Sequence, residues 1–474
     1  MKKLNRNTVS ALPERPIKIV QFGEGNFLRG FVDWMIDLLN ERTNFNGNIQ
    51  IVQPLAEGMG ALINAQDGLY HLVLEGIEKG EKVQNSRLIT SVSSVLNPYL
   101  HYEDFLRLGE NPQLQFIVSN TTEAGIVFAP EDKDYKSVPH SFPAKLTALL
   151  YHRFQFYAGD PPGTLYVLPC ELIEANGQLL HECVAHYADL WSLGEGFKSW
   201  LERGVLFYNT LVDRIVPGFP KTTIAAIQEH LGYKDQLVVK AEPFHLWVIE
   251  GPSQIKSELH FKQAGVNVIF TEDLTRYRTR KVRILNGAHT AMVPIGYLKG
   301  FTEVREVVED KKLALFLDTL LFQEIIPTLD MPKAELEQYT LEVLDRFRNP
   351  FITHHLLDIA LNSIYKFKVR VLPSLLHYME RNHTVPVGLA SAFAYLLLFY
   401  KGEFNDTTIP LKDDENYISF FKEAWTADSP ELSIAKILSN EKLWGDNLEQ
   451  KTLLSDFLKE KVTAITSVSN SPDT

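Results

Sequence analysis

Cysteine is nearly absent: Cys170 and Cys183 are the two in 474 residues. A pair this sparse gives no disulfide framework and fits a reducing compartment. With no cysteine cluster and no H-x-x-x-H repeat, a metal site is not expected. An excess of positive charge is also lacking. Lys and Arg number 47 against 59 Asp and Glu, a net charge of −12. That balance excludes a general nucleic-acid binder but not a locally basic site for an anionic substrate. Long hydrophobic runs are missing too. The longest uncharged stretch, 385–400, is interrupted by Pro386, Gly388 and Ser391. It falls short of the ~20 residues a membrane span needs and reads as a buried helix. The basic start M-K-K-L-N-R-N has no apolar core behind it, so no signal peptide is expected. These absences predict a soluble, cytoplasmic protein with no membrane partner. No internal repeat or low-complexity segment is present, apart from a polar tail after Thr466 that is expected to fray.

The composition that remains, 45% hydrophobic and 22% charged, is globular and sufficient for two or three domains. Residues 1–15 are polar and read as a loose arm. A short apolar strand over 17–22 then leads into G-E-G-N-F-L-R-G (23–30) and an amphipathic helix with Phe31, Met35, Leu38 and Leu39. Strand, glycine turn and helix make a phosphate site: Gly23 permits the tight turn, and Gly25 lets backbone N–H groups approach a pyrophosphate. The third glycine of G-x-G-x-x-G is displaced to Gly30, so an ordinary turn is the competing reading. The next strand, 48–53, ends in Gln53, where an acid would hold the ribose hydroxyls. No Arg stands beside it for a 2′-phosphate, which favours NAD over NADP.

Extended segments over 70–77 and 82–92 read as a hairpin around a Glu-Lys-Gly-Glu turn. A buried strand over 114–120 ends in small polar residues. Asn120 and Thr122 there are candidates for the nicotinamide end, with simple turn capping as the alternative. Further strands over 164–169, 237–240 and 266–270 alternate with helices over 144–156 and from Asn176 onward. The alternation predicts a doubly wound, mainly parallel α/β sheet of Rossmann type. Asp213 and Arg214 are adjacent opposite charges and read as a local pair. After Thr271 the chain reads as helices, including 313–326, 333–347, 352–364 and 389–400. The expected division is a nucleotide-binding domain over 1–275 and an all-helical domain over 276–474.

Just past that boundary lies Y-R-T-R-K-V-R-I-L-N-G-A-H (277–289), a basic turn running into an apolar helix. On an ideal helix, at about 100° per residue, Asn286 lies roughly 140° round from Lys281 and His289 roughly 80°. One broad face then presents an amine, an amide and an imidazole. That set suits metal-free removal of a proton from an alcohol: the amine as base, the amide donating to the oxygen, the imidazole binding a hydroxyl. A solvated lysine and satisfied mid-helix polar residues are the plainer alternative. Farther on, Y-K-F-K-V-R (365–370) is either a solvated face or a clamp for a substrate carboxylate.

These residues carry a resemblance across nearly the whole chain. Gly23, Gly25, Phe27 and Arg29, the V-D-R-I of 212–215, Glu242-Pro243-Phe244 with Trp247, and above all Lys281, Asn286 and His289 resemble the polyol-specific long-chain dehydrogenases, the mannitol dehydrogenase family. The resemblance implies an NAD-dependent, zinc-independent oxidoreductase. Gly23, Gly25, Asn26, Phe27, Arg29, Asn120 and Thr122 would hold NAD. Lys281 would be the general acid/base, Asn286 would bind the reacting oxygen, and His289 would orient substrate hydroxyls. Asp213 would sit near the substrate in a supporting role, and Lys366 and Arg370 of the basic cluster remain the candidates for holding its carboxylate.

Two departures from the family pattern stand out. Leu172 replaces a second oxyanion-binding Asn, and Arg278 replaces a Glu three residues before the lysine. With Arg280 and Arg283, Arg278 makes the site more cationic and favours a sugar acid over a neutral polyol. The resemblance is strongest to the branch that reduces D-tagaturonate to D-altronate in galacturonate catabolism. Alternatives are D-fructuronate reduction, mannitol-type oxidation, and a non-catalytic NAD(H) sensor. A monomer or a small homo-oligomer would both fit.

Overall fold

The computed structural model describes residues 1–9, 12–122 and 124–469. Glu123 and residues 470–474, the last part of the tail expected to fray, lie outside the described residues. The chain divides into two compact units. One is Met1–Gly76 with Lys82–Leu274; the other is Ile77–Glu81 with Thr275–Thr474.

The first unit is built on a six-stranded sheet: β1 (Ile17–Phe22), β2 (Asn48–Val52), β3 (Val92–Leu96), β4 (Phe116–Ser119), β5 (Leu165–Pro169) and β6 (Val205–Phe207). The order is β3-β2-β1-β4-β5-β6, and every pair is parallel. This is a doubly wound Rossmann-like sheet whose order reverses between β1 and β4. Side-chain alternation explains why both faces are covered. Ile19, Ile49, Ile51, Phe116 and Val118 pack on one side with Val32, Met35 and Leu39 of helix α2 (Val32–Arg42). Val20, Phe22, Val52, Ile117 and Val167 pack on the other side with Leu146, Leu150, Val184 and Tyr187. These last four belong to α3 (Phe142–Phe156) and α4 (Asn176–Leu190). Strands buried on both faces read as largely apolar runs, as in F-I-V of β4 and in β1 apart from Lys18 and Gln21.

Three local expectations change. The N-terminal arm is docked: Lys2–Lys3 pairs in parallel with Tyr233–Lys234, and Leu4 is buried. The helix after the glycine turn is split into α1 (Asn26–Arg29) and α2, because the Gly30 carbonyl accepts from Arg214 Nη1 at 2.8 Å and Phe31 leaves helical geometry. Arg214 therefore does not simply pair with Asp213. Its guanidinium lies 4.3 Å over the Trp34 ring, and its Nε donates to the Glu242 carbonyl at 2.9 Å. The hairpin forms, Tyr70–Glu78 and Glu81–Ile89, turning through Lys79 and Gly80 at φ 54° and 80°, but its second strand stops short of the expected end because Val92 begins β3. Those signs are what a two-residue hairpin turn requires.

Beyond the hairpin tip Ile77–Glu81, the described residues of the second unit are helical apart from two-residue strands at Glu403–Phe404 and Thr407–Thr408. A rod of α5 (Thr275–Lys281), a π-helical segment (Val282–Asn286) and α6 (Gly287–Leu298) enters it. Further helices are α7 (Lys333–Phe347), α8 (Ser363–Arg370), α9 (Val387–Phe399) and α10 (Thr452–Ser469). The uncharged run becomes α9, buried at every residue but Val387 and Tyr395 and packed between α6 and α10. A helix apolar all round has to be central. Its first turn is closed from elsewhere: Glu324 accepts from the Gly388 and Leu389 N–H groups, each at 2.7 Å. Glu324 lies in a second π-helical segment, Thr319–Ile325. The helix expected over 352–364 is reduced to Leu356–Ile359. Its first residues are extended instead, with Val304 N donating to the His354 carbonyl at 3.0 Å and Leu356 N to the Thr302 carbonyl at 2.9 Å. No helix among the described residues is long and apolar enough to cross a membrane.

Candidate active site

Lys281 ends α5, and the backbone just beyond it widens. Gly287 N donates to the Val282 carbonyl, five residues back, rather than closing only four-residue turns. In such a turn residues five apart lie nearly above one another. Asn286 therefore comes round toward the Lys281 face instead of lying the roughly 140° away that an ideal helix gives. Gly287 suits the place: the Arg370 carbonyl would be 3.3 Å from any Cβ there. The cationic environment is also rearranged. Arg280 is buried, lying 4.3 Å over the Tyr339 ring and 5.1 Å over Tyr277. Its Nη1 donates to Glu335 Oε1 of α7 at 2.7 Å. Arg283 donates to the Val369 carbonyl at 2.7 Å. Arg280 and Arg283 thus anchor the rod, and the charge of Arg280 is met by Glu335.

Other groups surround His289. Its ring lies 4.3 Å from Phe347 and 4.9 Å from His354, centroid to centroid. Its Nε2 is buried and without a hydrogen-bond partner among the described residues. Burial first, then the nearby His354, Arg346, Arg370 and Lys366, push the imidazole well below its usual range. The ring is neutral near pH 7 and can donate or accept. Lys366 and Arg370, one turn apart on α8, are thus brought to His289. Lys366 Nζ donates to the Ile359 carbonyl at 2.9 Å, and Arg370 Nη1 reaches Thr290 Oγ1 at 3.4 Å. Burial lowers the pKa of both, with Arg370 adding to the effect at Lys366. Arg346 and His354 escaped the sequence reading. Their signal was the polar run R-F-R-N-P-F-I-T-H-H, hidden by treating 352–364 as helix.

In the first unit the glycine turn lies at the carboxyl end of β1. Gly23 has φ +119°, and a Cβ would stand 2.7 Å from the Asn120 carbonyl, so glycine is required. A Cβ on Gly25 would meet nothing within 4 Å, which leaves open approach to that backbone. Arg29 does not face this space. It is buried and donates to the carbonyls of Leu237 at 2.8 Å and Glu24 at 3.2 Å, and to Asn26 Oδ1 at 2.7 Å. Phe27 stacks on Phe31 at 5.0 Å. Arg29, Asn26 and Phe27 thus brace the glycine turn. Asn120 Nδ2 donates to the Cys170 carbonyl at 2.7 Å, tying β4 to β5, and Thr122 is exposed. Buried Glu171, also missed in the sequence, accepts from Ser119 Oγ at 2.9 Å and Thr121 N at 3.0 Å. Leu172 beside it is 62% exposed. Asp213 is buried at the end of its strand.

The fit to a dinucleotide has a further observation behind it. A cavity of about 680 Å³ lies past the ends of β2 and β3, lined among others by Gln53, Glu57, Asn64, Asn97, His101 and Asp104. Gln53 is spent on the loop, donating to the carbonyls of Leu55 and Ala56 and accepting from Gly60 N.

Residues 17–263 match the mannitol dehydrogenase Rossmann domain, and residues 273–466 match the mannitol dehydrogenase C-terminal domain. The chain belongs to the mannitol dehydrogenase family. Within this family it is 47% identical to the altronate oxidoreductase of Bacillus subtilis over 96% of this chain and 94% of that one. It is 44% identical to the altronate oxidoreductase of Phocaeicola vulgatus, with 98% and 97% covered. The family fold is seen in D-sorbitol dehydrogenase, TM-score 0.79 at 23% identity, covering 96% of this chain and 93% of that one. It is also seen in Pseudomonas fluorescens mannitol 2-dehydrogenase, TM-score 0.64 at 20% identity, with 98% of each chain covered.

Proposed function

We propose that this member of the mannitol dehydrogenase family is an altronate oxidoreductase that interconverts D-tagaturonate and D-altronate with NAD(H). Full-length identity of 42–47% to altronate oxidoreductases supports the reaction. The observation that carries the substrate class is the cationic surround of His289, where Arg346, Lys366 and Arg370 act on the ring. Such a surround favours a sugar acid.

NADH, when bound, would supply the hydride that reaches the ketone carbon. Lys281 gives its proton to the carbonyl oxygen as that oxygen becomes a hydroxyl, and takes it back in the oxidative direction. Asn286 donates a hydrogen bond to the same oxygen as negative charge develops there, a role preorganised donors fill at low cost. His289, held neutral, fixes a neighbouring hydroxyl. Gly23 and Gly25 would admit the pyrophosphate, and Asn120 and Thr122 would hold the nicotinamide end. Asp213 supports the substrate end.

Glu57 and Asp104, with no Lys or Arg in the same lining, oppose a 2′-phosphate in the cavity past β2 and β3. NADPH is therefore expected to support turnover at least about tenfold less efficiently than NADH, since ~1.4 kcal/mol of repulsion suffices for that factor. The deciding experiment follows NADH consumption with tagaturonate, fructuronate and fructose side by side. Tagaturonate should be fastest. Equal rates with fructuronate would defeat the specific assignment, and NADH binding without any turnover would favour a sensor.

A further inference from the structure

At the end of β2, Gln53 stands where an acid would hold ribose hydroxyls, and its amide is taken up inside the loop that follows. An acid nonetheless reaches that loop, from the glycine turn. Glu24, between Gly23 and Gly25, is partly buried, and its Oε1 accepts from Met59 N at 3.4 Å. Burial raises the Glu24 pKa, and its own amide, the Met59 amide and Arg29 act against that shift. The Met59 contact thus favours the charged form. Gly58 answers to the same carboxylate. A Cβ there would overlap Glu24 Oε1 and stand 2.7 Å from Gln53 Cδ. Space, not a positive φ, calls for glycine at this position. Arg29 adds a second tie, its Nη2 lying 4.0 Å from Met59 Sδ. The loop is also held from the segment after β3, where Asn97 Nδ2 donates to the Ala56 carbonyl at 3.0 Å. Ala56, Glu57, Gly58 and Gly60 line the cavity past β2 and β3. The phosphate turn and the wall of that cavity are therefore fastened together through one carboxylate.

We propose that Glu24 is a positioning residue for the dinucleotide, acting through Met59 and Gly58 to hold the 54–60 loop as the wall of the adenosine end. The inference rests on the NAD(H) reading above and adds to it a side chain that need not touch the cofactor. Its physical basis is preorganisation. Residues 55–58 are exposed, so without ties this stretch would have to be ordered by the ligand. A loop already ordered in the free protein spares the ligand that cost.

The test measures binding to the full-length enzyme and to Glu24→Ala, Glu24→Gln and Gly58→Ala, by calorimetry and NADH fluorescence. Two fragments divide the ligand: ADP-ribose carries the adenosine end, and nicotinamide mononucleotide lacks it. Glu24→Ala should weaken NADH and ADP-ribose about tenfold, equivalent to ~1.4 kcal/mol, and leave the mononucleotide within about twofold. KM for NADH should rise with Kd, and kcat at saturating NADH should fall far less. Glu24→Gln offers Met59 N the same kind of acceptor and should recover most of the loss. Gly58→Ala should also weaken ADP-ribose, and joined to Glu24→Ala it should cost less than the two apart. Without NADH, amide hydrogen exchange around Met59 should be faster in Glu24→Ala than in the wild type. An unchanged affinity for ADP-ribose, equal losses on both fragments, a Gln variant as weak as the Ala variant, or strictly additive losses at 24 and 58 would each overturn the role of Glu24. A wild type that binds neither NADH nor NADPH would instead overturn the cofactor reading, and this inference with it.

Discussion

Three side chains divide the proposed ketone reduction by chemistry. An amine carries a proton, an amide steadies the oxygen, and a neutral imidazole orients a hydroxyl. Replacing Lys281 with Ala removes the proton carrier alone, so kcat should fall by about 10²–10⁴ while NADH binds as before. Stopped-flow turnover and NADH fluorescence titration check the two halves. The residue types were legible in the sequence. The neutrality of His289 was not, because it depends first on burial and then on His354 and Arg346, which come from other elements.

A second single-residue effect lies beneath the glycine turn. Asp33 is fully buried, accepts from the Tyr70 hydroxyl at 3.0 Å, and is pushed up to about 7 by burial. Because the folded-state pKa is raised above the unfolded value, the folded protein holds a proton that the unfolded chain has lost between those two values. Stability should therefore fall as pH rises from about 4 to 7. Asp33→Asn should flatten that slope in urea unfolding curves; an unchanged slope would locate the proton elsewhere.

Between elements, the departure that matters is the π-helical segment Val282–Asn286. Its sequence, V-R-I-L-N, is ordinary helix former, so nothing local announces the wide turn. The extra residue is accommodated because Gly287 lets the Arg370 backbone close in, and because Ile325 of the second π-helical segment comes within 4.0 Å of the same place. Deleting Val282 should restore four-residue turns and rotate Lys281 against Asn286 and His289 by about 100°. The deletion variant is expected to keep its helical circular dichroism and lose nearly all turnover. If activity survived, the register of the rod would not govern the site. The glycine turn is the opposite case. Its strand, its glycines and the helix behind it were legible because backbone freedom at Gly23 is a local property. The break at Gly30 was not, since Arg214, far along the chain, takes that carbonyl.

Over the whole molecule, charge is unevenly spread. The net charge is −12, yet Arg346, Lys366 and Arg370 gather around one imidazole. Attraction between that cluster and an anionic substrate should weaken as salt rises, the screening length being ~10 Å at 0.1 M and ~3 Å at 1 M. KM for tagaturonate is accordingly expected to increase with sodium chloride while KM for an uncharged ketose changes little. Steady-state kinetics at fixed pH would show it, and parallel increases for both would argue for a general effect on the fold.

At this scale the two sources of information separate cleanly. The sequence by itself determined the parallel sheet, the helical second half and the inventory of reactive side chains. Apolar alternation, glycine freedom and residue chemistry act over a few neighbouring positions and can be read there. Only the tertiary structure decided that Arg280 is spent on Glu335, that Arg29 braces the glycine turn, and that His354 meets His289. Each of those outcomes depends on which distant group reaches a buried charge or carbonyl first, and packing, not local pattern, settles that competition.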